Sequence, residues 1–288
     1  SSGLLFARGQ KNISITGFGT IDGQGGNKTF QFGNDADGGP KRPKIIYFVE
    51  CKGIVVTDVT LRNSAYWVQH YEKCEDVTIR GLKVFSHCNY NNDGLDIDAK
   101  NATISDCYID VEDDAICFKS DHPEFCENIT VTNCVTASNC NAIKFGTASH
   151  GGYRNIAVSN CVVRRAAEDN IRHWSKQLEH ISADVTVIDG ITVSNISMRD
   201  VQTPIFIRLG DRHRTYRKEG GVLKNINISN IVATAESLIA CSITGVETSY
   251  VENVSINNVQ ISYPGGGTSD MVSKPVPEMT KSYPENRM

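Results

Sequence analysis

The chain has 288 residues, 40% hydrophobic and 22% charged, with a net charge of −4 and an isoelectric point near 6.0. That length is ample for a sizeable core, and the mildly acidic balance gives a polyanion such as nucleic acid no footing. No apolar run approaches the roughly 18 residues that cross a membrane, and the opening SSGLLFARGQ lacks the basic and apolar regions of a signal peptide.

In chain order, one short pattern recurs: ISITGFGTI near residue 15, IVVTDVTL around Val59, VTIRGLKV around Leu82, ATISDCYI around Cys107, ITVTNCVT around Cys134, IAVSNCVV around Cys161, then ITVSNISM (Ile196), INISNIVA (Ile231) and VSINNVQI (Val259). Each copy is an alternating strand, a polar turn residue and a second alternating strand. Alternation at period two marks a half-buried strand. Asp58, Asp106, Asn133, Asn160, Asn195, Asn230 and Asn258 share the turn column, and Asn and Asp tolerate the left-handed backbone of a sharp bend. Units of about 23 to 35 residues cannot bury a face alone and must stack. Helical periodicity is nearly absent. The expected fold is all-β, a single-stranded right-handed parallel β-helix of about nine coils. It is expected to form one domain over 1–288, with an irregular tail from about 263. Cys107, Cys134 and Cys161, spaced 27 residues apart, fall in one inward column as small hydrophobes, and no C-x-x-C suggests a metal. Seven N-x-S/T triplets, at Asn12, Asn27, Asn101, Asn128, Asn195, Asn227 and Asn253, mostly follow from the repeat's own wording and carry no glycosylation claim.

A second strand repeats in the same rhythm: GLDIDA, AICFKS, AIKFGT, NIRHWS and PIFIRLG begin at residues 94, 115, 142, 170 and 204. Aligning the first four stacks Asp93, Asp114, Asn141 and Asp169 in one column. The next column holds Asp96, Cys117, Lys144 and Arg172, and a third Asp98, Lys119, Gly146 and Trp174. Coils lie about 4.8 Å apart, so Asp93, Asp113 and Asp114 are expected to meet across two coils. Stability gives no reason to gather like charges. Catalysis does, because neighbouring carboxylates push their pKa values apart into a proton donor and a base, the pair that glycoside hydrolysis uses. Ca²⁺ binding by the same face and a solvated charged face are the alternatives.

At these residues the chain resembles the polygalacturonase-type glycoside hydrolases of family 28, as a divergent member. That family's signatures are N-T-D-G, D-D-C-I-A-I-K-S, G-H-G and R-I-K in order; here NNDGLDI (Asn91–Ile97) and DDAICFKS (Asp113–Ser120) stand for the first two. WVQHYEKCEDVTI (67–79) resembles the segment before N-T-D-G in bacterial members, and the likeness runs from about Asn12 to about Tyr263. It implies a parallel β-helix that hydrolyses pectic or related acidic glycans with inversion, secreted or periplasmic, without a cofactor or metal. Carried over, Asp113 is the general acid, Asp93 and Asp114 activate water, and Asn91 sits beside them. Two signatures depart: Cys140-Asn141-Ala142 replaces G-H-G, and Arg172-His173-Trp174 replaces R-I-K. Asn91, Asn141, Lys144, Arg172, Trp174, His70 and Arg208 are the expected substrate-binding residues. Lys144 and Arg172 would grip a uronate carboxylate, Trp174 would stack on a sugar, and Arg208 opens a basic loop with Arg212, Arg214, Arg217 and Lys218 toward an anionic substrate. His87 is a further candidate. The polar stretch Phe32 to Lys44 is expected to be a loop over the cleft. The expected partner is a carbohydrate, with neither nucleic acid nor membrane. A lyase of the same architecture using Lys144 or Arg172 as base, and a non-catalytic glycan-binding β-helix, remain open alternatives.

Overall fold

A computed structural model describes residues 2–30, 42–165, 180–184, 187–210, 221–236, 238, 241–245 and 250–274. These form nine coils of a right-handed parallel β-helix, every strand pairing in parallel with the equivalent strand one coil away. In the first coil the three strands are separate: β1 (Gly3–Arg8), β2 (Lys11–Thr16) and β3 (Thr20–Asp22). They begin three sheets, here A, B and C. In later coils strands of neighbouring sheets merge across a bend, as in β7 (Gln69–Arg80) and β9 (Leu95–Ser105), which run from A into B. Among the described residues the only helical segments are two 3₁₀ turns, Lys28–Phe30 and Ser269–Met271, and residues 263–268 carry no strand.

The core is a set of inward columns. In sheet A, Phe48, Tyr71, Ile97, Phe118 and Phe145 are consecutive register partners, and the Phe118 and Phe145 rings stack at 4.5 Å. Between sheets B and C, Leu82, Cys107, Cys134, Cys161, Ile196 and Ile231 are all buried, and Ile196 and Ile231 follow Cys161 in register. All ten thiols are free; the cysteine column is packing, as expected.

Bends are made by left-handed residues. The B-to-C column of Asp58, Asp106, Asn133, Asn160, Asn195, Asn230 and Asn258 has φ between 50° and 66°. A second column between A and B, not read as such from sequence, holds Asn12, Asp76, Asn101, Asn128, Asn155, Asn225 and Asn253, also at φ of 50–59°. Its amides form ladders between coils: Asn128 Nδ2 donates to Asn101 Oδ1 at 3.1 Å and Asn155 Nδ2 to Asn128 Oδ1 at 2.7 Å. Several N-x-S/T asparagines are therefore bend residues.

One sequence alignment is corrected. The strand stacked on β14 (Ile143–Ser149) is β16 (His180–Asp184), with Lys144 opposite His180, and not NIRHWS at 170. The preceding steps at this column are 21 residues, Asp96 to Cys117, and 27, Cys117 to Lys144. The next advances by 36, and the extra chain falls before the strand rather than after it. Arg172 and Trp174, with Asp169 and His173, consequently leave the columns assigned to them, and all four lie outside the described residues.

Candidate active site

The outward face of sheet A over the fourth, fifth and sixth coils carries the acidic cluster. Strands β9, β11 (Ile116–Ser120) and β14 are in register there, Asp96 opposite Cys117 and Cys117 opposite Lys144. The columns Asp93–Asp114–Asn141 and Asp96–Cys117–Lys144 thus stand as aligned. Gly94 permits this approach: a Cβ there would come within 2.6 Å of Ile109 Cγ2 and 2.7 Å of the Ala115 carbonyl, and the Gly94 N–H instead donates to the Asp114 carbonyl at 2.8 Å.

Asp93, Asp96 and Asp114 are almost fully buried and Asp113 is partly exposed. Each of the buried three has a cation. Lys119 Nζ lies 3.3 Å from Asp96 and 3.8 Å from Asp93. Lys144 Nζ donates to Asp114 Oδ2 at 2.8 Å, and Asn141 Nδ2 donates to Asp114 Oδ1 at 2.5 Å. Asp113 Oδ1 accepts from the Asp114 backbone N–H at 2.9 Å, and Asp113 Oδ2 from Asn91 Nδ2 at 3.4 Å.

The protonation pattern follows from these contacts. Burial pushes Asp114 up, but Lys144 and Lys119 with the two side-chain hydrogen bonds outweigh it and hold the carboxyl below its ordinary range. Burial and then the charge of Asp114 raise Asp113, against Lys144. Burial and then Asp113 and Asp96 raise Asp93 strongly. Asp96 is pushed up to about 7 by burial, with Lys119 and Lys44 opposing. Asp113 and Asp114 oxygens lie within 4.8 Å of each other and of Cys140 Sγ. Two unit charges at that separation repel by about 3 kcal/mol at an effective dielectric of 20, which disfavours ionising both. These three residues stand close enough to hold an ion, but Asp114 already faces the Lys144 ammonium, and a thiol suits neither Ca²⁺ nor Mg²⁺.

The second and third coils build an aromatic and basic wall beside this cluster. Lys44, at the start of β4 (Lys44–Val49), donates to His70 Nδ1 at 2.9 Å, so the neutral His70 ring carries its proton on Nε2. Burial, then Lys44 and Lys119, hold His70 well below its ordinary pKa. Lys44 itself falls to about 8 through burial, against Asp96 and Glu72. Trp67 lies between the lysines, its ring centroid 4.6 Å from Lys44 Nζ and 4.7 Å from Lys119 Nζ, and meets His70 edge-on at 5.1 Å. Arg42 is stacked on Tyr90 at 3.7 Å, and its guanidinium donates to the Tyr90 carbonyl at 2.6 Å and to Asn91 Oδ1 at 3.1 Å. That second bond turns the Asn91 amide so that its NH₂ faces Asp113.

Of the residues expected from sequence, the structure brings together Asn91, Asp93, Asp113, Asp114, Asn141 and Lys144. His70 adjoins them but is buried on Lys44. Lys144 is engaged with Asp114, whereas it was expected on a substrate carboxylate. Arg208, on β18 (Phe206–Gly210), is buried opposite Ser182 and stands three coils from Lys119 along the sheet, about 14 Å away. It is not part of the cluster, because its strand belongs to the eighth coil. His87 pairs instead with Asp110 at 2.8 Å on sheet C. The basic loop after Gly210 and residues 31–41 lie outside the described residues. The expected loop to Lys44 ends earlier, since Arg42 and Lys44 are buried in the wall. Sequence reading missed Arg42, Lys44, Trp67, Lys119 and Cys140 as site residues. Three of them had a signal in the resemblance: Lys119 in DDAICFKS, Cys140 in the segment that replaces G-H-G, and Trp67 in WVQHYEKCEDVTI.

Comparison with known proteins follows the same line. The model of a family described as Glycosyl hydrolases family 28 matches residues 5–281. A probable polygalacturonase of Vitis vinifera is 34% identical over 128 residues, 42% of this chain and 25% of that protein. A polygalacturonase of Saccharomyces cerevisiae is 30% identical over 127 residues, 41% of this chain and 34% of that protein. The chain thus spans between a quarter and a third of these curated relatives. Among solved structures, an endo-xylogalacturonan hydrolase of Aspergillus tubingensis superposes with a TM-score of 0.68 at 14% identity, over 92% of this chain and 74% of that one, a likeness of fold.

Proposed function

From the premise that the chain belongs to family 28 of the glycosyl hydrolases, we propose that it hydrolyses glycosidic bonds of a pectic or related acidic glycan with inversion at the anomeric carbon. The observation that carries the proposal is the unequal environment of two adjacent aspartates. Asp113 is raised by burial and by Asp114, and is partly exposed; Asp114 is lowered by Lys144 and buried. Asp113 is the general acid and gives its proton to the leaving glycosidic oxygen as the bond to the anomeric carbon breaks. A water held by Asp93 and Asp114 attacks that carbon from the opposite face, and its proton passes to Asp114, the one carboxyl of the three held below its ordinary range. One proton leaves and one arrives, so the pair is reset by exchange with solvent.

The substrate class rests on the named activities of the relatives, polygalacturonases in the curated matches. Action outside the cytoplasm, on an extracellular or periplasmic polymer, is part of the same reading. A lyase base must be a free amine near neutral pH; Lys144 is raised by Asp114 against burial, which argues against that alternative. The test is Asp113→Asn against a panel of pectic oligosaccharides, with the anomer of the first-formed product read by proton NMR. A drop in rate of two or more orders of magnitude in a protein that still unfolds cooperatively, with inverted product from the wild type, supports the proposal. Wild-type turnover by the variant, or a product of retained configuration, overturns it. Tight binding of oligosaccharides without turnover would point to a glycan-binding β-helix.

A further inference from the structure

Lys144 is a buried lysine in the site that the hydrolytic scheme leaves without a task. It stands on the sixth coil, directly outward of the Phe145 stack, and its ammonium reaches back one coil to Asp114 Oδ2 at 2.8 Å. Asn141, from the same coil, takes the other oxygen of Asp114. Both oxygens are therefore met by donors that bind a carboxylate and leave no acceptor for a carboxylic O–H. Asp113 has no ion pair among the described residues. Its oxygens meet only an amide N–H of its own turn and the Asn91 amide, which Arg42 orients.

We propose that Lys144 is a positioning residue that assigns the roles of the two aspartates: by holding Asp114 ionised from the next coil, it keeps Asp114 as the base and leaves the shared proton on Asp113. This rests on the hydrolase reading and specifies how that site is regulated. The other charged and titratable groups facing the pair are Asp93 and Asp96 from the fourth coil, Glu112, Cys117 and Lys119 from the fifth, and Cys140 from the sixth. Lys119 serves Asp96 and Asp93, and the Cys140 thiol is pushed up by burial and by Asp114 and Asp113, so it remains a neutral thiol. Removing Lys144 would leave Asp114 beside Asp113 with no direct cation. The pair would then behave as two like carboxyls sharing a proton, and either could carry it.

The experiment measures kcat/KM against pH for wild type, Lys144→Met and Lys144→Arg. Loss of an adjacent cation moves a carboxyl by about 1–3 pH units. The acid limb, which reports ionisation of the base, should move up by that amount in Lys144→Met and stay within a few tenths of a unit in Lys144→Arg. A lysine that only fills space would lower kcat or the melting temperature and leave the limb where it was. That result overturns the inference. Asp113→Asn run beside these variants separates the two claims: activity retained there removes the hydrolase reading, whereas inactive Asp113→Asn with an unmoved limb in Lys144→Met removes only the role of Lys144. Should Lys144→Met fail to fold, a ¹³C carboxyl NMR titration of the wild type decides. Asp114 should stay ionised to a lower pH than Asp113, and the reverse order overturns the inference.

Discussion

Replacing Asp98 by Asn should stabilise the protein in alkaline solution and change little in acid. Asp98 lies two residues beyond Asp96 on β9, on the same outward face, 4% exposed, with one carboxylate oxygen lacking a hydrogen-bond partner. Burial, then the charges of Asp121 and Glu72, push it up to about 8, with Lys73 opposing. In the unfolded chain it titrates near its ordinary value of about 3.9. Between those values the folded state holds the proton and the unfolded state does not. Stability therefore falls as pH rises through the window, and the loss is complete above about 8. About four pH units at about 1.4 kcal/mol each set an upper figure of ~6 kcal/mol, and water drawn to an ionised buried group lowers the effective cost to several kcal/mol. Asparagine has the same shape and no charge. Urea unfolding at pH 4 should give nearly equal midpoints for the two proteins. At pH 8.5 the variant should be more stable by about 3–5 kcal/mol with an unchanged slope. An advantage of the same size at both pH values would show that the ionisation of Asp98 is not the cause, and the burial argument would fail.

Other expectations follow from single contacts. Lys119→Met strips the cation from Asp96 and Asp93 and should destabilise by about 3–5 kcal/mol at pH 8; raising two already elevated carboxyls further makes the penalty smaller at pH 5, which urea titration at both pH values would show. Arg42→Met frees the Asn91 amide and should lower kcat by about 10–100-fold through misplacement of Asp113's partner, while a melting curve shifts by only a few degrees; an unchanged kcat would mean that Asn91 needs no support. Asn128→Ala removes the amide that lets the residue tolerate φ 59° and breaks two ladder hydrogen bonds, at a cost of about 2–3 kcal/mol. Asn128→Gly should recover about 1 kcal/mol of that by restoring the backbone freedom alone, measurable by chemical denaturation.

The parts legible in the sequence were those that repeat. The 27-residue spacing of Cys107, Cys134 and Cys161 fixes three coils in register, and Asp93 against Asp114 and Asn141, and Asp96 against Lys144, hold in the structure, whereas the register shifts after Phe118, so the alignment of Lys119 with Gly146 does not follow. The alignment broke where the period did. One coil is longer, and a local pattern such as NIRHWS imitates a strand well enough to be placed a step early. The A-to-B bend column was hidden because its asparagines share the N-I-T wording of the strands they precede. Arg42 and Lys44 were illegible for a different reason. They stand at the end of a Gly- and Pro-rich stretch that reads as loop, and nothing local tells that the second coil turns them into the cleft. Partnership was the hardest inference: a lysine facing an acidic column can serve substrate or carboxylate, and only coordinates show Lys144 reaching back to Asp114.

The lysines also explain how a solenoid tolerates this many buried acids. Each coil touches only its neighbours, so charge must be matched one step along the stack. Lys119, on the fifth coil, answers Asp93 and Asp96 on the fourth, and Lys144, on the sixth, answers Asp114 on the fifth. Both lysines alternate with inward phenylalanines, Phe118 and Phe145, whose stacked rings fix the strands beneath them. A one-residue slip in either strand would turn its lysine into the core and its phenylalanine into the cleft, so apolar packing on the inside enforces ion pairing on the outside. Among the described residues two acids of this face have no lysine partner, Asp98, which is buried, and Asp113. Asp113 sits on the turn before β11 rather than in the outward strand positions, no lysine among the described residues pairs with it, and it is the one of Asp93, Asp96, Asp113 and Asp114 that solvent reaches. An unmatched carboxyl beside an ionised neighbour lowers its energy by keeping a proton, and the same exposed turn position allows that proton to meet a glycosidic oxygen.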